Sequence, residues 1–205
     1  GTGLSFGTLD PLIFAETGAE PGLPELNVTV RDGRGLLETA HGPIGLKLEG
    51  EGRIDEGFAG IFAATAPELD LPDCALRGAS AYGLLTTSAG APSFAGPVRL
   101  RSADCSGITL AQFAARIRAK ASPDLKDFSG RASIRSNRIG SEAMAANGLD
   151  GTIRASWRDG IMAANHSFAL RGVSTPQMSG ALVTLDGTAR AERGFENATW
   201  RGDVE

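Results

Sequence analysis

Hydrophobic and polar residues alternate along most of this chain, in short runs separated by turn residues. The clearest run is LNVTVR at 26–31, in which every second residue is apolar. The runs LKLE at 46–49 and VRLR at 98–101 repeat this pattern. Because a period of two places successive side chains on opposite faces of a β-strand, the pattern predicts strands with one apolar and one polar face.

Turn residues recur every 8–14 positions from one end of the chain to the other. The DG at 32–33, the GEG at 50–52 and the RDG at 158–160 are typical of hairpin turns, and Pro67 is predicted to end the strand before it. The range 4–9 is predicted to be a first strand, and the ranges 128–136 and 198–204 are among the later predicted strands. This regular spacing indicates an all-β fold, mainly an antiparallel meander.

The segment ITLAQFAARIRAKA at 108–121 permits two interpretations. Leu110, Phe113 and Ile117 lie at helical spacing, and alanine, glutamine, arginine and lysine favour helices. From residue 113 onwards the same segment also alternates. Because both flanks are β, a strand is the preferred prediction, and at most one short helix is expected in the chain.

The composition limits how such strands can pack. Aromatic residues make up only 6% of the chain, whereas glycine is abundant at 28 residues. Small aliphatic side chains cannot fill a closed sandwich at the usual core density, so the sheet is predicted to be a curved, open sheet or trough. Its apolar surface would need a cover, either another sheet or an acyl chain. The candidate lipid-facing residues are Leu26, Val28, Val30, Leu46, Leu48, Val98, Leu100, Ile134 and Ile153. Ordinary core packing explains the apolar character of these residues equally well.

Charge is unevenly distributed along the chain. The net charge is -4 and the pI is about 5.3, which argues against non-specific nucleic-acid binding. Residues 1–73 include 4 basic and 13 acidic residues, residues 74–171 include 13 and 6, and residues 172–205 include 3 and 5. Charged side chains at solvent-facing strand positions, whose sign changes gradually along the chain, explain this distribution. A basic face that meets anionic lipid headgroups is the alternative.

The two cysteines, Cys74 and Cys105, each follow an aspartate. A structural disulfide between them is predicted, and it would imply an oxidising compartment. Two buried free thiols are the alternative. His41 and His166 are isolated, and neither cysteine belongs to a C-x-x-C motif, so no metal site is predicted.

Motifs for catalysis or cofactor binding are not evident in the sequence. The G-x-G tripeptides at 33–35 and 50–52 are assigned to hairpin turns and not to the strand–helix junction of a nucleotide site. Asp55 and Glu56 are adjacent acids beside a glycine and are most simply solvated. Their spacing also leaves open a glycosidase-like pair brought together in space. The chain is therefore predicted not to be an enzyme and to bind no cofactor.

The stretch LLETAHGPIGLKLEGEGRIDEGFAGIFAATAPEL at 36–69 resembles the repeated strand pattern of the AsmA-like superfamily, most closely its YdbH-type branch. The shared marks are a strand that ends in Glu-Thr, the GPIG at 42–45, the alternating LKLEG that follows, and the GF at 57–58. The GPVRL at 96–100 and the two cysteines also resemble that branch. The resemblance covers about residues 20–110.

The resemblance implies a large protein of the Gram-negative envelope, anchored in the inner membrane and extending through the periplasm. Members of the family form long, bent β-sheets with a hydrophobic groove and are implicated in moving phospholipid toward the outer membrane. Some members carry an older dicarboxylate-transport label. An oxidising periplasm is consistent with the predicted disulfide.

Residues 1–205 would then be a single β-rich segment of a longer chain, with residues 1–3 as a candidate cloning remnant. The expected partners are phospholipid acyl chains, the remainder of the same long chain and envelope proteins, and no nucleic acid. The oligomeric state is not predicted. An adhesin-like β-repeat or a structural interaction module with no lipid role is the alternative function.

Overall fold

A computed structural model describes residues 22–192 and 197–205 of the chain. Within these residues the chain forms 13 β-strands and no helix, so the predicted all-β fold is confirmed. The predicted strand at 4–9 and the terminal residues 1–3 lie outside the described ranges. The strands are β1 (Asn27–Thr39), β2 (Gly42–Arg53), β3 (Ala59–Leu71), β4 (Cys74–Ser88), β5 (Ala91–Cys105), β6 (Ile108–Ala121), β7 (Phe128–Ser136), β8 (Arg138–Gly140), β9 (Ala145–Ala146), β10 (Gly148–Arg158), β11 (Ile161–Ser174), β12 (Ser179–Ala191) and β13 (Ala198–Val204).

All of these strands belong to one antiparallel sheet. Strands β1 to β7 follow one another in order, and β10 to β13 continue the series. The short strands β8 and β9 extend β7 and β10 beyond single-residue interruptions. Contacts run between neighbouring strands, and β1 does not pair with β13. The described chain is therefore an open meander in a single layer.

Three of the connections are two-residue turns in which both φ angles are positive. The angles are 51° and 72° at Ala89-Gly90, 50° and 78° at Ser106-Gly107, and 51° and 79° at Asp159-Gly160. Positive φ at both central residues is the conformation of type I′ turns, whose twist matches that of the flanking strands. The hairpin turn predicted at 158–160 is confirmed.

Several predicted turns and strand ends are wrong. The DG at 32–33 does not reverse the chain but forms a bulge within β1, where the register shifts between Val30 and Gly33. The tripeptide at 33–35 also lies in β1, the tripeptide at 50–52 lies in β2, and β3 continues through Pro67. A bulge accommodates a left-handed residue such as Asp32, with φ 50°, without ending the strand.

The ambiguous segment 108–121 is strand β6, as preferred, and it pairs with β5 on one side and with β7 and β8 on the other. Its helix-like spacing has a structural cause. Leu110 and Phe113 are both partly buried, while Gln112 between them is exposed and has φ 51°. A left-handed residue shifts the alternation of the strand by one position, so inward residues three apart here mark a bend and not a helical turn.

The same shift recurs on neighbouring strands and forms what we call the crease, defined by Gly78, Gln112, Asn137, Asn147 and Gly172. Gly78 in β4 and Gly172 in β11 have φ of 61° and 58°, and the two asparagines separate β7 from β8 and β9 from β10. The strand register places these five residues close to one line across the sheet. The crease divides the sheet into two parts. The short arm contains β8, β9 and the adjoining ends of β4, β5, β6 and β11, and the long arm contains the rest of these strands and their neighbours.

Except for Phe58, the buried apolar residues larger than alanine lie at the crease. Ala146 and Leu170 are 0% and 2% exposed, and they form a cluster with Leu149 and Val173. Residues of the short arm such as Ile139 pack against this cluster. Because the bend brings two parts of one face together, it removes apolar surface from water without a second layer. The crease is thus the hydrophobic core of the described sheet.

A buried serine satisfies backbone groups at the same bend. The Oγ of Ser136, which is 4% exposed, lies 2.8 Å from the carbonyl oxygens of both Ala111 and Arg138. Buried carbonyls that leave the sheet ladder need such partners. The Ala111 carbonyl oxygen also accepts a hydrogen bond from the Asn137 N–H at 3.1 Å, so the serine hydroxyl is an additional polar partner among the inward residues at this position.

Cys74 and Cys105 are directly paired across β4 and β5 at the rim of the short arm. They form a disulfide, with their Cα atoms 3.9 Å apart. The bridge closes the open end of the β4–β5 hairpin, next to the crease. In the chain-entropy model, a bridge between residues 31 apart stabilises the fold by about 3–4 kcal/mol.

Candidate functional site

The candidate lipid-facing residues share one side of the sheet, here called the apolar face. Directly paired residues of antiparallel strands project to the same side. Val98 pairs with Ala115, which pairs with Ile134, and the pairings through β3 and β4 connect this row to Leu48. Leu26 lies just before β1 and is 53% exposed. The eight candidates that lie in strands on this face are Val28, Val30, Leu46, Leu48, Val98, Leu100, Ile134 and Ile153.

Aromatic rings on the apolar face lie over glycines of neighbouring strands. A Cβ atom at Gly50 would meet Phe58 Cζ at 2.8 Å, so only glycine leaves room for the buried ring. An aromatic ring that covers a glycine restores the packing that the missing side chain would supply. The tripeptide at 50–52 therefore has a packing role within the sheet. The same relation joins Phe94 to Gly83, Phe168 to Gly151 and Trp200 to Gly187.

His166 is part of an aromatic cluster at the β11–β13 end of the apolar face. Its ring stacks on Phe168, with centroids 4.7 Å apart and planes 9° apart. Trp200 Nε1 donates a hydrogen bond to His166 Nε2 at 2.7 Å. Because Nε2 accepts, the proton of the neutral ring resides on Nδ1. These contacts give the histidine a packing role that the sequence did not indicate.

Away from the crease the apolar face is open. Within residues 22–192 and 197–205, no second layer of strands or helices packs over it. Phe128 and Trp200 on this face are 50% and 47% exposed. Large uncovered apolar surfaces mark interaction sites in soluble proteins. The apolar face is therefore a candidate binding surface.

The opposite, polar face carries a dense group of cations on β5, β6, β7 and β10. Arg118 pairs directly with Arg131, which pairs directly with Arg154. No member of the group forms an ion pair with any residue of the described ranges. We call this group the cationic cluster; its exposed members are Arg99, Arg116, Arg118, Lys120, Arg131, Arg135 and Arg154.

Three of the four cations in β1–β3 are ion-paired, in contrast to the cationic cluster; Arg31 is the exception. Arg53 Nη2 donates to Asp55 at 2.6 Å, and Lys47 Nζ lies 2.8 Å from Glu49 and 3.3 Å from Asp32. The hydrogen bond from Arg53 lowers the pKa of Asp55 below its usual value of 3.8. Charge is therefore neutralised locally at one end of the sheet and left unneutralised at the cluster.

Two surface cavities open beside the cationic cluster. The smaller one, of about 620 Å³, is lined by Arg118, Arg131 and Arg154 together with Ser129 and Asn165. The larger one, of about 1310 Å³, shares the three arginines and continues along the same strands. Most of the lining side chains project from the polar face. The recess in this part of the sheet thus lies on the cationic side.

The adjacent acids of the sequence have local structural partners. Arg53 binds Asp55, and the Glu56 carboxylate accepts a hydrogen bond from the Ala89 N–H at 2.9 Å. His41 Nδ1 lies 2.8 Å from the carbonyl oxygen of Asp70. The described ranges contain no group of three residues arranged to hold a metal ion.

Among the residues that the structure describes, none forms a helix long and apolar enough to cross a membrane.

These features define a class of protein: an open, single-layer antiparallel β-sheet with an apolar face on one side and a cationic cluster on the other. No protein-family model, curated protein or solved structure matches the chain. The resemblance of residues 20–110 to the AsmA-like superfamily therefore stays a prediction.

Sequence reasoning located the basic part of the chain but not its arrangement as one cluster. Residues 74–171 contain the excess of basic residues. The sequence indicated which residues of a strand share a face; Arg116 and Arg118, for example, alternate with apolar neighbours. The pairing of Arg118 with Arg131 depends on strand register, which no short-range pattern specifies.

Proposed function

We propose that this chain is a segment of a periplasmic bridge-like protein that carries phospholipid between the inner and outer membranes along its apolar face. Acyl chains lie along the apolar face, and the headgroups stay in solvent. The mechanism is passive, since the side chains supply apolar contact and make or break no covalent bond. Movement along the sheet follows from the similarity of successive strands.

The observation that carries the proposal is the open apolar face. Its path crosses 11 neighbouring strands, which corresponds to about 48 Å at the usual strand spacing. Burial of apolar surface is favourable by about 25 cal/mol per Å². An acyl chain covers such a surface without leaving a buried polar group unpaired, so it suits an apolar lining better than a peptide backbone does.

The cellular location in the proposal rests on one further observation and on the resemblance of residues 20–110. The Cys74–Cys105 disulfide is of the kind that persists in oxidising compartments such as the periplasm. The inner-membrane anchor and the role of the remaining chain rest on the resemblance of residues 20–110 alone.

Photo-crosslinking in Gram-negative cells tests the proposal. A photoreactive amino acid is placed at Ile153 or, as the matched control, at Thr152. The two residues are neighbours on β10, but Ile153 is partly buried and Thr152 is exposed on the opposite face. Phospholipid should crosslink at 153 and not at 152. Native mass spectrometry of the purified protein should show copurifying phospholipid.

A pair of charge substitutions provides a second test. Ile153→Glu should abolish lipid copurification, whereas Thr152→Glu adds the same charge to the other face and should retain it. Cooperative thermal unfolding of both variants establishes that each is folded. Equal crosslinking at 152 and 153, or a lipid-free mass for folded wild-type protein, would contradict the proposal and favour an interaction module with no lipid role.

A further inference from the structure

We propose that the cationic cluster binds an acidic glycan, a sugar polymer that carries phosphate or carboxylate groups. The cluster lies on the face opposite the proposed lipid surface. The proposal therefore goes beyond the proposed function, and it holds whether or not the apolar face binds lipid.

The cationic cluster lacks internal counter-charge. Like charges placed directly opposite each other destabilise a sheet, and the row Arg118, Arg131, Arg154 contains two such pairings. Asp150 lies on the same face in register with Arg135, but its carboxylate binds Arg171 at 2.5 Å. Within the described ranges the cluster thus lacks a neutralising partner, and an external anion would supply one.

The type and spacing of the cations favour a ligand with repeated negative charges. Six of the seven members are arginines, whose planar guanidinium groups bind carboxylate and phosphate through two parallel hydrogen bonds. Alternate residues along a strand are about 6.8 Å apart and neighbouring strands about 4.8 Å apart. Such an array can contact several anionic groups at once, which suits a polymer with repeated charges better than a single small ion.

The shape of the surface argues against a flat membrane. The cluster lines cavities of about 620 and 1310 Å³, so the backbone between the arginines forms a recess. A planar bilayer surface reaches the tips of the arginines only, whereas a polymer chain can enter the recess. The shape of the surface therefore favours a polymer chain, and binding to anionic vesicles tests the membrane alternative.

The uncharged residues of the recess favour a sugar over a nucleic acid. Hydroxyl and amide side chains both donate and accept hydrogen bonds, as sugar hydroxyl groups do. Proteins that bind single-stranded nucleic acid present several aromatic side chains for base stacking, whereas the polar face of the described sheet has a single one, Tyr82 on β4 beside Arg99. The uncharged polar residues that line the cavities include Ser129, Ser133, Thr152, Asn165 and Ser167.

The test is a binding titration with fluorescent oligosaccharides of equal length: one carboxylated, one phosphorylated and one neutral dextran. The test variant combines Arg118→Gln, Arg131→Gln and Arg154→Gln. The control variant combines Arg34→Gln, Lys47→Gln and Arg53→Gln, which removes the same charge from positions that are ion-paired. Wild-type protein should bind at least one acidic oligosaccharide and not dextran. The test variant should lose at least tenfold in affinity, and the control variant less than twofold.

Three results would overturn the proposal: no binding of either acidic oligosaccharide, equal losses in the two variants, or equally tight binding of a thymidine oligonucleotide or of anionic phospholipid vesicles. Binding of one acidic oligosaccharide and not the other identifies the anionic group. Melting temperature at low salt is a second measurement. It should rise in the test variant, because repulsion between neighbouring arginines is removed, and it should not rise in the control.

Discussion

Leu170 and Ile153 project from the same face of the sheet on neighbouring strands, but only Leu170 lies at the crease. Leu170 is 2% exposed, whereas Ile153 on the long arm stays partly exposed. Both are aliphatic residues in alternating strands, so the difference arises from their surroundings. Leu170 lies beside the bend and pairs with Leu149 and Val183, whereas Ile153 pairs with Ala132 and His166. Where the sheet bends and large side chains meet, apolar residues form a core; elsewhere on this face large apolar residues stay partly exposed.

Within one continuous face, the crease stabilises the fold and the long arm provides the candidate binding surface. The cluster of Ala146, Leu149, Leu170 and Val173 holds the two arms together, and it leaves the rest of the face uncovered. A single-layer sheet with no such bend would have to bury its apolar face against another layer to be stable. The crease therefore allows the apolar face of the long arm to stay open.

The largest expected effect on stability comes from truncating Leu170 at the crease, compared with truncating Ile153 on the long arm. Leu170→Ala should lower the free energy of unfolding by about 3–4 kcal/mol, since it removes buried methyl groups and leaves a cavity. Ile153→Ala should cost about 1 kcal/mol, because the side chain is already partly in water. Urea denaturation of both variants measures the difference. Similar losses would mean that the long arm is covered in solution.

The disulfide beside the crease provides the next test. Cys74→Ala combined with Cys105→Ala should lower the stability by about 3 kcal/mol, because the unfolded chain regains the freedom that the loop closure removes. Urea denaturation of the double variant, compared with that of the wild type reduced by dithiothreitol, checks this value. If the two differ, the effect comes from the alanine side chains and not from the lost bridge.

A smaller effect, with the opposite sign, is expected at Gln112. Its φ of 51° is unfavourable for a residue with a side chain, so Gln112→Gly should stabilise the protein by about 1 kcal/mol. Ser133→Gly on β7 is the matched control, since Ser133 has no positive φ and glycine weakens an ordinary strand position by a similar amount. Thermal unfolding should shift in opposite directions. Asn137 Nδ2 donates a hydrogen bond to Gln112 Oε1, and a destabilising Gln112→Gly would show that this bond outweighs the backbone strain.

The smallest expected effect is a difference in pH dependence between the Arg53–Asp55 ion pair and the apolar crease cluster. The pKa of Asp55 is lowered by Arg53, so the stability from this pair is present above the usual pKa of 3.8 and is lost as the pH falls through the lower folded value. Asp55→Asn should remove that part of the pH dependence. The loss caused by Leu170→Ala should be the same at pH 3 and pH 7, because the crease cluster is apolar. Chemical denaturation at both pH values checks the two expectations.

Alternation and turn spacing were sufficient to predict the architecture. The strands predicted at 128–136 and 198–204 have the observed bounds, because their alternation is regular and clear turn residues flank them. The turns predicted at 32–33 and 50–52 were wrong for a common reason. Aspartate and glycine are favoured where φ is positive, and glycine is favoured where a ring packs closely on the backbone, so bulges and ring-covered positions use these residues as turns do.

The strand content, the two-faced pattern and the identity of the candidate apolar residues were determined by the sequence itself, because each depends on side chains only one or two positions apart. The crease and the cationic cluster were decided by the tertiary structure. Both depend on which residues of different strands are paired, as Gln112 is aligned with Asn137 and Arg118 with Arg131. Register arises from the sum of many weak cross-strand contacts, so it emerges only when the whole sheet has formed.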